Sequence, residues 1–161
     1  MKLEAEFIAR APAPQVFNAF HQYKINRDPA RFFPGKLIQW EFNVLTEHAL
    51  GLGAQYEWKI RLLGIPVLAF QEQVVAWEEG KQVAYRAIAG WQMDFCIDLK
   101  PINAETVLNV TTDLALPGFQ ALNRLLRPLY NWGLAQVCRR GLHKEGIRTQ
   151  RLMSSRICKD E

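Results

Sequence analysis

The 161-residue chain lacks the residue patterns that identify several common classes of enzyme and metalloprotein. Its only serines, Ser154 and Ser155, lie near the C-terminus, and no Gly-x-Ser-x-Gly segment marks a serine nucleophile. The three histidines, His21, His48 and His143, are far apart, and the sequence contains no His-x-x-x-His or Cys-x-x-Cys pair. We therefore predict neither a metal site nor a bound cofactor.

Long hydrophobic runs are also absent. The longest stretch without Asp, Glu, Lys or Arg, Ala11–Tyr23, has thirteen residues, whereas a membrane-spanning helix needs about 20 apolar ones. Acidic residues stand in Met1–Glu6, where a secretory signal would need an apolar core. Three widely spaced cysteines, Cys96, Cys138 and Cys158, cannot complete a disulfide framework. These absences predict a cytoplasmic protein without a transmembrane segment.

The chain has no excess of positive charge except at its C-terminal end. The formal net charge is +4, and residues 139–161 account for all of it with seven basic and three acidic residues. Residues 1–138 carry thirteen charges of each sign. A neutral body is not typical of nucleic-acid binders, so we expect no nucleic acid partner. The basic segment is interpreted as the solvated end of a helix, with weak contact to an anionic membrane as the alternative.

Apolar residues alternate with polar ones over seven segments, which is the pattern of half-buried β-strands. The segment Gly53–Leu62 is the clearest, because one of its faces is apolar and the other is charged. Short turn sequences separate most of the segments, and short links require an antiparallel meander. The predicted strands are Lys2–Ala9, Lys36–Thr46, Gly53–Leu62, Val67–Trp77, Lys81–Ala89, Trp91–Lys100 and Thr106–Ala115.

Helical spacing replaces the alternation in the remaining segments. It predicts a short helix over Gln15–Gln22, a second short helix or turn over Asn26–Phe33, and a long helix after residue 118. Pro128 lacks a backbone N–H and should kink the long helix or split it near Leu126.

The order of elements is β-α-α-β6-α, which predicts an α+β protein with about seven strands. The apolar face of the sheet must be covered, and the C-terminal helix is the element long enough to cover it. We expect one domain over residues 1–148. Residues 149–161 are expected to form a basic, flexible tail because the apolar stripe ends near Arg148.

Local sequences carry a family resemblance in the same order. Ala13-Pro14-Gln15-Val16-Phe17 follows the first strand, and Gly51-Leu52-Gly53-Ala54-Gln55-Tyr56-Glu57-Trp58 enters the third. Val74-Val75-Ala76-Trp77-Glu78, Tyr85-Arg86 and Leu116-Pro117-Gly118 follow. Over residues 2–145 the chain resembles the START / Bet v 1-like (SRPBCC) superfamily in its polyketide cyclase/dehydrase-like branch. The resemblance implies a helix-grip fold, in which a curved antiparallel sheet wraps around the C-terminal helix and encloses a ligand cavity. It brings no catalytic residues to this chain.

Aromatic side chains are concentrated on one face of the predicted sheet. If Glu57, Lys59 and Arg61 face solvent, the opposite face points toward the C-terminal helix. Aromatic rings with polar tips suit a ligand cavity, and simple core packing is the alternative for each ring. The family resemblance favours a cavity. Its expected ligand-binding residues are Trp40, Phe42, Tyr56, Trp58, Phe70, Glu72, Tyr85, Trp91, Met93, Phe95, Leu122 and Leu126.

Glu72 is the one acidic residue expected on that apolar face. Burying a carboxylate is costly unless it is paired or protonated, so a carboxyl placed there suits ligand binding or general acid/base catalysis. A β-bulge that turns Glu72 toward solvent is the alternative. Arg86 is one candidate partner for Glu72. It follows Tyr85 directly, however, so the alternation places it on the opposite face of the sheet and predicts a solvated side chain.

These features predict a protein that binds, transports or sequesters a small apolar or aromatic ligand, lipids among them. One alternative is a polyketide cyclase/aromatase or dehydratase-like enzyme without a metal, with Glu72, Tyr56 or Tyr85 moving protons. A second alternative is an interaction module that uses the basic C-terminal tail.

Overall fold

The computed structural model describes residues 1–26, 38–114 and 120–151. Within them the chain forms eight strands and two helices, so the α+β class and the presence of all seven predicted strands are confirmed. The predicted short helix over Asn26–Phe33 lies outside the described residues, except for Asn26. In chain order the elements are β1 (Lys2–Ala9), α1 (Ala13–Ile25), β2 (Ile38–Val44), β3 (Gln55–Leu62), β4 (Ile65–Glu78), β5 (Gln82–Gly90), β6 (Met93–Ile102), β7 (Glu105–Leu114), α2 (Gln120–Lys144) and β8 (Thr149–Arg151).

The described strands form one curved antiparallel sheet in the order β2-β3-β4-β5-β6-β7-β1-β8. Strands β2 to β7 pair with their neighbours in sequence, as the short turns predict. The N-terminal strand β1 then pairs with β7 from Lys2↔Asp113 to Ala9↔Thr106. The first and last predicted strands therefore lie side by side.

Alternating burial along the strands places the core on one face of this sheet. In β7, Thr106, Leu108, Val110, Thr112 and Leu114 are all buried, and the residues between them retain exposure. Complete burial of a side chain such as Leu108 contributes about 2 kcal/mol. We call the face that carries these residues the inner face.

Helix α1 lies against the inner face. Pro14 stands in its first turn, where the missing N–H costs nothing, and Val16, Phe17 and Phe20 are buried in the core. The helix continues to Ile25, beyond the predicted end at Gln22.

Helix α2 contacts β1, β8 and α1. The sequence predicts that Pro128 kinks or splits this helix. The helix is continuous through Pro128, so the split is wrong, and the kink stays a prediction. A proline inside a helix costs about 3 kcal/mol, and burial of Ala135, Cys138 and Leu142 in the core offsets that cost. No helix within the described residues is long and apolar enough to cross a membrane.

The end of α2 is closed by main-chain hydrogen bonds. Ile147 N–H donates to the Leu142 carbonyl at 2.9 Å, and Gly146 N–H donates to the His143 carbonyl at 3.0 Å. This is the Schellman arrangement, in which Gly146 takes the positive φ of +76°. Leu142 and Ile147 are both buried, which adds the usual apolar contact of the motif.

Residues 149–151 correct the expectation of a flexible tail that begins at residue 149. They form β8, which pairs with β1 from Phe7↔Arg151 to Ala9↔Thr149 and gives the sheet one strand more than predicted. Thr149-Gln150-Arg151 has no apolar alternation, so the side-chain pattern could not reveal it. The strand forms through main-chain pairing with the edge of β1, which would otherwise present unpaired N–H and C=O groups. Residues 152–161 lie outside the described residues.

Gly90 marks a close approach between β4 and β5. Its φ is +78°, and a Cβ at this position would collide with the Ala69 carbonyl oxygen and lie 2.9 Å from Phe70 Cα. Gly90 pairs with Phe70 and Ala89 pairs with Gln71, so the approach is part of the sheet. Only glycine satisfies both the backbone angle and the space.

We expect Gly90→Ala to lower the free energy of unfolding by about 3 kcal/mol, because it combines a left-handed backbone angle with a backbone collision. Gly64→Ala is the matched control, since Gly64 has a φ of +82° and open space around its Cβ position. The control should lose only about 1 kcal/mol. Urea denaturation of both variants measures the difference, and equal losses would contradict the steric account.

Candidate functional site

The predicted aromatic residues form a continuous layer on the inner face from β2 to β6. We call Trp40, Phe42, Tyr56, Trp58, Phe70, Tyr85 and Phe95 the aromatic layer. Phe42 lies 4.6 Å from Trp58 and 5.3 Å from Tyr56 between ring centroids. Tyr85 connects the layer to β6, with its centroid 6.3 Å from Tyr56 and 6.0 Å from Phe95. At these separations aromatic pairs attract one another in addition to burying area.

Helix α1 brings a histidine and a lysine onto this layer. Phe17, His21 and Lys24 are spaced at i, i+4 and i+7, so they share one face of the helix. His21 and Lys24 are each only 1% exposed. A lysine is almost never buried this completely without a partner.

The partner of Lys24 is Glu72 on β4. Lys24 Nζ lies 3.2 Å from Glu72 Oε1, and Trp58 Nε1–H donates to the same oxygen at 3.0 Å. Glu72 is itself only 4% exposed. The ammonium also lies over two rings of the aromatic layer, 3.9 Å from the Tyr56 centroid and 3.6 Å from the Tyr85 centroid. The carboxylate and both ring faces compensate for the loss of hydration of the ammonium.

Burial lowers the pKa of Lys24 from 10.5 to about 8, and the charge and hydrogen bond of Glu72 oppose the shift. The amine is therefore still charged at neutral pH, but it releases its proton far more readily than an exposed lysine. Burial also raises the pKa of Tyr56, and the nearby Glu72 charge adds to this effect. The Tyr56 hydroxyl donates to the Ala49 carbonyl at 2.6 Å.

His21 connects α1 to Tyr85. Its Nδ1 lies 2.7 Å from the Phe17 carbonyl oxygen, and since a carbonyl only accepts, Nδ1 carries the proton. In neutral His21, Nε2 then accepts from the Tyr85 hydroxyl at 2.9 Å. Burial, together with the positive charge of Lys24, lowers the pKa of His21 to about 3. We call His21, Lys24, Trp58, Glu72 and Tyr85 the polar cluster.

Two irregularities of the sheet flank Glu72 and leave it facing inward. The register with β5 shifts between Gln71 and Glu72 and again between Val74 and Ala76. The second shift makes Val75 an extra residue, so the alternation reverses beyond it. Trp77 thereby contacts His21 on the inner face, with ring centroids 4.8 Å apart. The alternation in the sequence instead predicts that Ala76 lies on the same face of the sheet as Glu72 and that Trp77 lies on the opposite face.

The remaining predicted cavity residues fall into two groups. Trp91 and Met93 are half-buried and pack against the core, as do Trp40 and Phe95 of the aromatic layer. The side chains of Leu122 and Leu126 on α2 lie outside the described residues. The structure thus brings ten of the twelve together on the inner face, and their part in ligand binding stays a prediction. Arg86 is exposed, as expected from its parity.

Sequence reasoning missed His21 and Lys24. The predicted helix ended at Gln22, before Lys24, and single histidines carry little information. A usable signal was present in the spacing of Phe17, His21 and Lys24, which puts two polar residues on the apolar stripe of α1.

Comparison with known proteins identifies the fold. Neither a protein-family model nor a curated protein matches this chain. Among solved structures, Ara h 8.0201 is 15% identical with a TM-score of 0.65, and the match covers 91% of this chain and 95% of that one. A protein from Thermus thermophilus is 16% identical with a TM-score of 0.65, covering 90% of this chain and 97% of its own.

A third similar structure is the Zhui aromatase/cyclase from Streptomyces sp. R1128. It is 15% identical with a TM-score of 0.60, and the match covers 90% of each chain. At sequence identities this low, the structural similarity shows a shared fold and nothing more. The helix-grip fold predicted from the sequence is therefore confirmed.

The polar cluster predicts how stability depends on pH. Because the pKa of His21 falls from 6.5 in the unfolded chain to about 3 in the folded one, the unfolded state binds more protons between these values. The contribution of His21 to the free energy of unfolding is therefore fully present above pH 6.5, and it is lost as the pH falls toward 3. Between pH 7 and pH 4 the loss should reach about 3 kcal/mol.

Urea denaturation at pH 7 and pH 4 measures this loss in the wild type and in His21→Gln. The variant should lose about 3 kcal/mol less than the wild type over this range. His48→Gln, at an exposed histidine, is the control and should follow the wild type. Identical pH profiles for wild type and His21→Gln would refute the assignment of a neutral, buried His21.

Proposed function

We propose that the protein binds a small, largely apolar ligand against the aromatic layer and that Glu72 fixes its orientation. The supporting observation is the hydrogen bonding of Glu72. Lys24 and Trp58 both donate to Oε1, and within residues 1–26, 38–114 and 120–151 no group donates to Oε2. One carboxylate oxygen on an otherwise aromatic wall thus retains its capacity to accept a hydrogen bond.

The chemistry of that oxygen restricts the ligand. Paired with the Lys24 ammonium, the Glu72 carboxylate accepts hydrogen bonds and has none to donate. A matching ligand carries a hydroxyl or N–H group on an apolar or aromatic body. The ion pair also holds the carboxylate in place before the ligand arrives, which reduces the cost of ordering it on binding.

Half-buried residues of the inner face supply the apolar contact. Trp40, Trp91, Met93 and Phe95 lie beside fully buried core residues yet keep part of their surface exposed. Each Å² of apolar surface removed from water contributes roughly 25 cal/mol, so micromolar binding corresponds to about 330 Å² buried on the protein and the ligand together. A few convergent polar groups among aromatic side chains are the usual composition of a ligand site.

The cyclase- or dehydratase-like alternative would use the same site. The observation that favours it is Lys24, whose pKa of about 8 suits an amine that gives and takes protons near neutral pH. Mass spectrometry of compounds recovered after incubation separates the two functions. A binding protein returns its ligand unchanged, whereas a cyclase or dehydratase returns a cyclised or dehydrated product.

The neutral fluorescent probe N-phenyl-1-naphthylamine tests the binding proposal, because it joins an apolar body to one N–H donor. We expect saturable binding with a micromolar Kd. Phe95→Ala should weaken it about tenfold through lost apolar contact. Glu72→Gln should weaken it about tenfold because a charged acceptor becomes neutral.

Ile102→Ala is the matched control, since Ile102 lies on the same strand as Phe95 but is 54% exposed. It should bind the probe as the wild type does. Absence of saturable binding, or equal affinities for Phe95→Ala and Ile102→Ala, would contradict the proposal. Thermal denaturation of each variant verifies that it is folded during the titration.

A further inference from the structure

One cavity in the described part of the chain lies away from the aromatic layer and carries a strong positive charge. It is a cleft of about 490 Å³ at the C-terminal end of α2, bordered by β8 and the segment that follows β1. Among the described residues, four arginines, Arg10, Arg139, Arg140 and Arg148, line it together with His143, and none of these described lining residues is acidic. We call it the basic cleft.

The main chain around the basic cleft is firmly held. Arg10 N–H donates to the Arg148 carbonyl at 2.9 Å, which fixes two of the arginine positions relative to each other. Arg139 and Arg140 are consecutive residues of α2, and β8 pairs with β1 directly after Arg148. The four guanidinium groups therefore extend from a scaffold with fixed spacing.

The helix end does not account for these charges. Cations often stand near a helix C-terminus because its carbonyls lack partners. Here the Leu142 and His143 carbonyls already accept N–H groups of the Schellman motif. The arginines are thus not needed to satisfy them.

Carboxylates do not account for the charges either. Across the three described segments, Arg139, Arg140 and Arg148 form no ion pair with an acidic side chain. Arg10 lies 3.8 Å from Glu105, but both side chains are about half exposed, so this contact is weak. Like charges gathered in one concave site repel one another, and an anion in the cleft would relieve that repulsion.

We propose that the basic cleft binds a phosphorylated ligand with two or more negative charges. The planar guanidinium group forms paired hydrogen bonds with phosphate oxygens, which suits arginine to this chemistry better than lysine. A volume of about 490 Å³ accommodates a diphosphate or a phosphate ester and falls within the usual range of ligand pockets. The phosphate group belongs either to a soluble compound or to a lipid headgroup.

Calorimetric titration of the full chain with pyrophosphate, at 50 and 150 mM NaCl, tests the soluble source. Flotation with phosphatidylcholine vesicles, with and without phosphatidic acid, tests the lipid source. The test variant is Arg139→Gln/Arg148→Gln, whose substituted side chains are exposed in the folded protein. It should weaken whichever interaction the wild type shows by at least about tenfold.

The matched control is Arg86→Gln/Arg127→Gln, which removes the same net charge at two exposed sites outside the basic cleft. Arg127 stands on the same helix as Arg139, about 18 Å away along its axis. The control should bind within about twofold of the wild type, since long-range charge effects are screened at 150 mM salt.

Binding of pyrophosphate identifies a soluble phosphate ligand, and binding of phosphatidic acid vesicles alone identifies a headgroup; either supports the proposal if only the cleft variant loses it. No binding to either probe overturns it. Equal weakening in both double variants also overturns it, because the effect would then reflect net charge. The probe for the aromatic layer is neutral, so failure of that site and failure of this one are distinguishable.

Discussion

The buried ion pair between Lys24 and Glu72 is the constraint around which the inner face is organised. An ammonium that is 1% exposed requires an anion and further compensation, or it must lose its charge. Glu72 supplies the anion at 3.2 Å, and the rings of Tyr56 and Tyr85 cover the ammonium. The C-terminal half of α1 is thereby fixed to β3, β4 and β5 together.

The same pair connects stability with the proposed function. It holds the Glu72 carboxylate in one orientation on the aromatic layer, with Trp58 donating to the oxygen that Lys24 also contacts. His21 extends the cluster to Tyr85 and stays neutral because it is buried beside a positive charge. The basic cleft lies at the end of α2 and uses none of these residues, so the two proposed sites are chemically different.

Much of the inner face could be predicted from the sequence because alternation depends only on the two-residue period of a strand. It placed Glu72 and the rings of the aromatic layer correctly on one face. The alternation failed at Trp77, because Val75 is an extra residue that side-chain pattern does not reveal. Lys24 was missed because burial of a lysine depends on a partner 48 positions away, and β8 was missed because main-chain pairing alone forms it.

A double-mutant cycle on Lys24 and Glu72 measures the central interaction directly. Lys24→Met and Glu72→Gln should each lower the free energy of unfolding by about 3 kcal/mol, because each leaves a buried group without its partner. The double variant should lose less than the sum, with a coupling of about 2 kcal/mol. The partly exposed pair Lys59 and Glu57, 2.9 Å apart, is the control and should couple by less than about 1 kcal/mol. Additive losses at Lys24 and Glu72 would contradict the account.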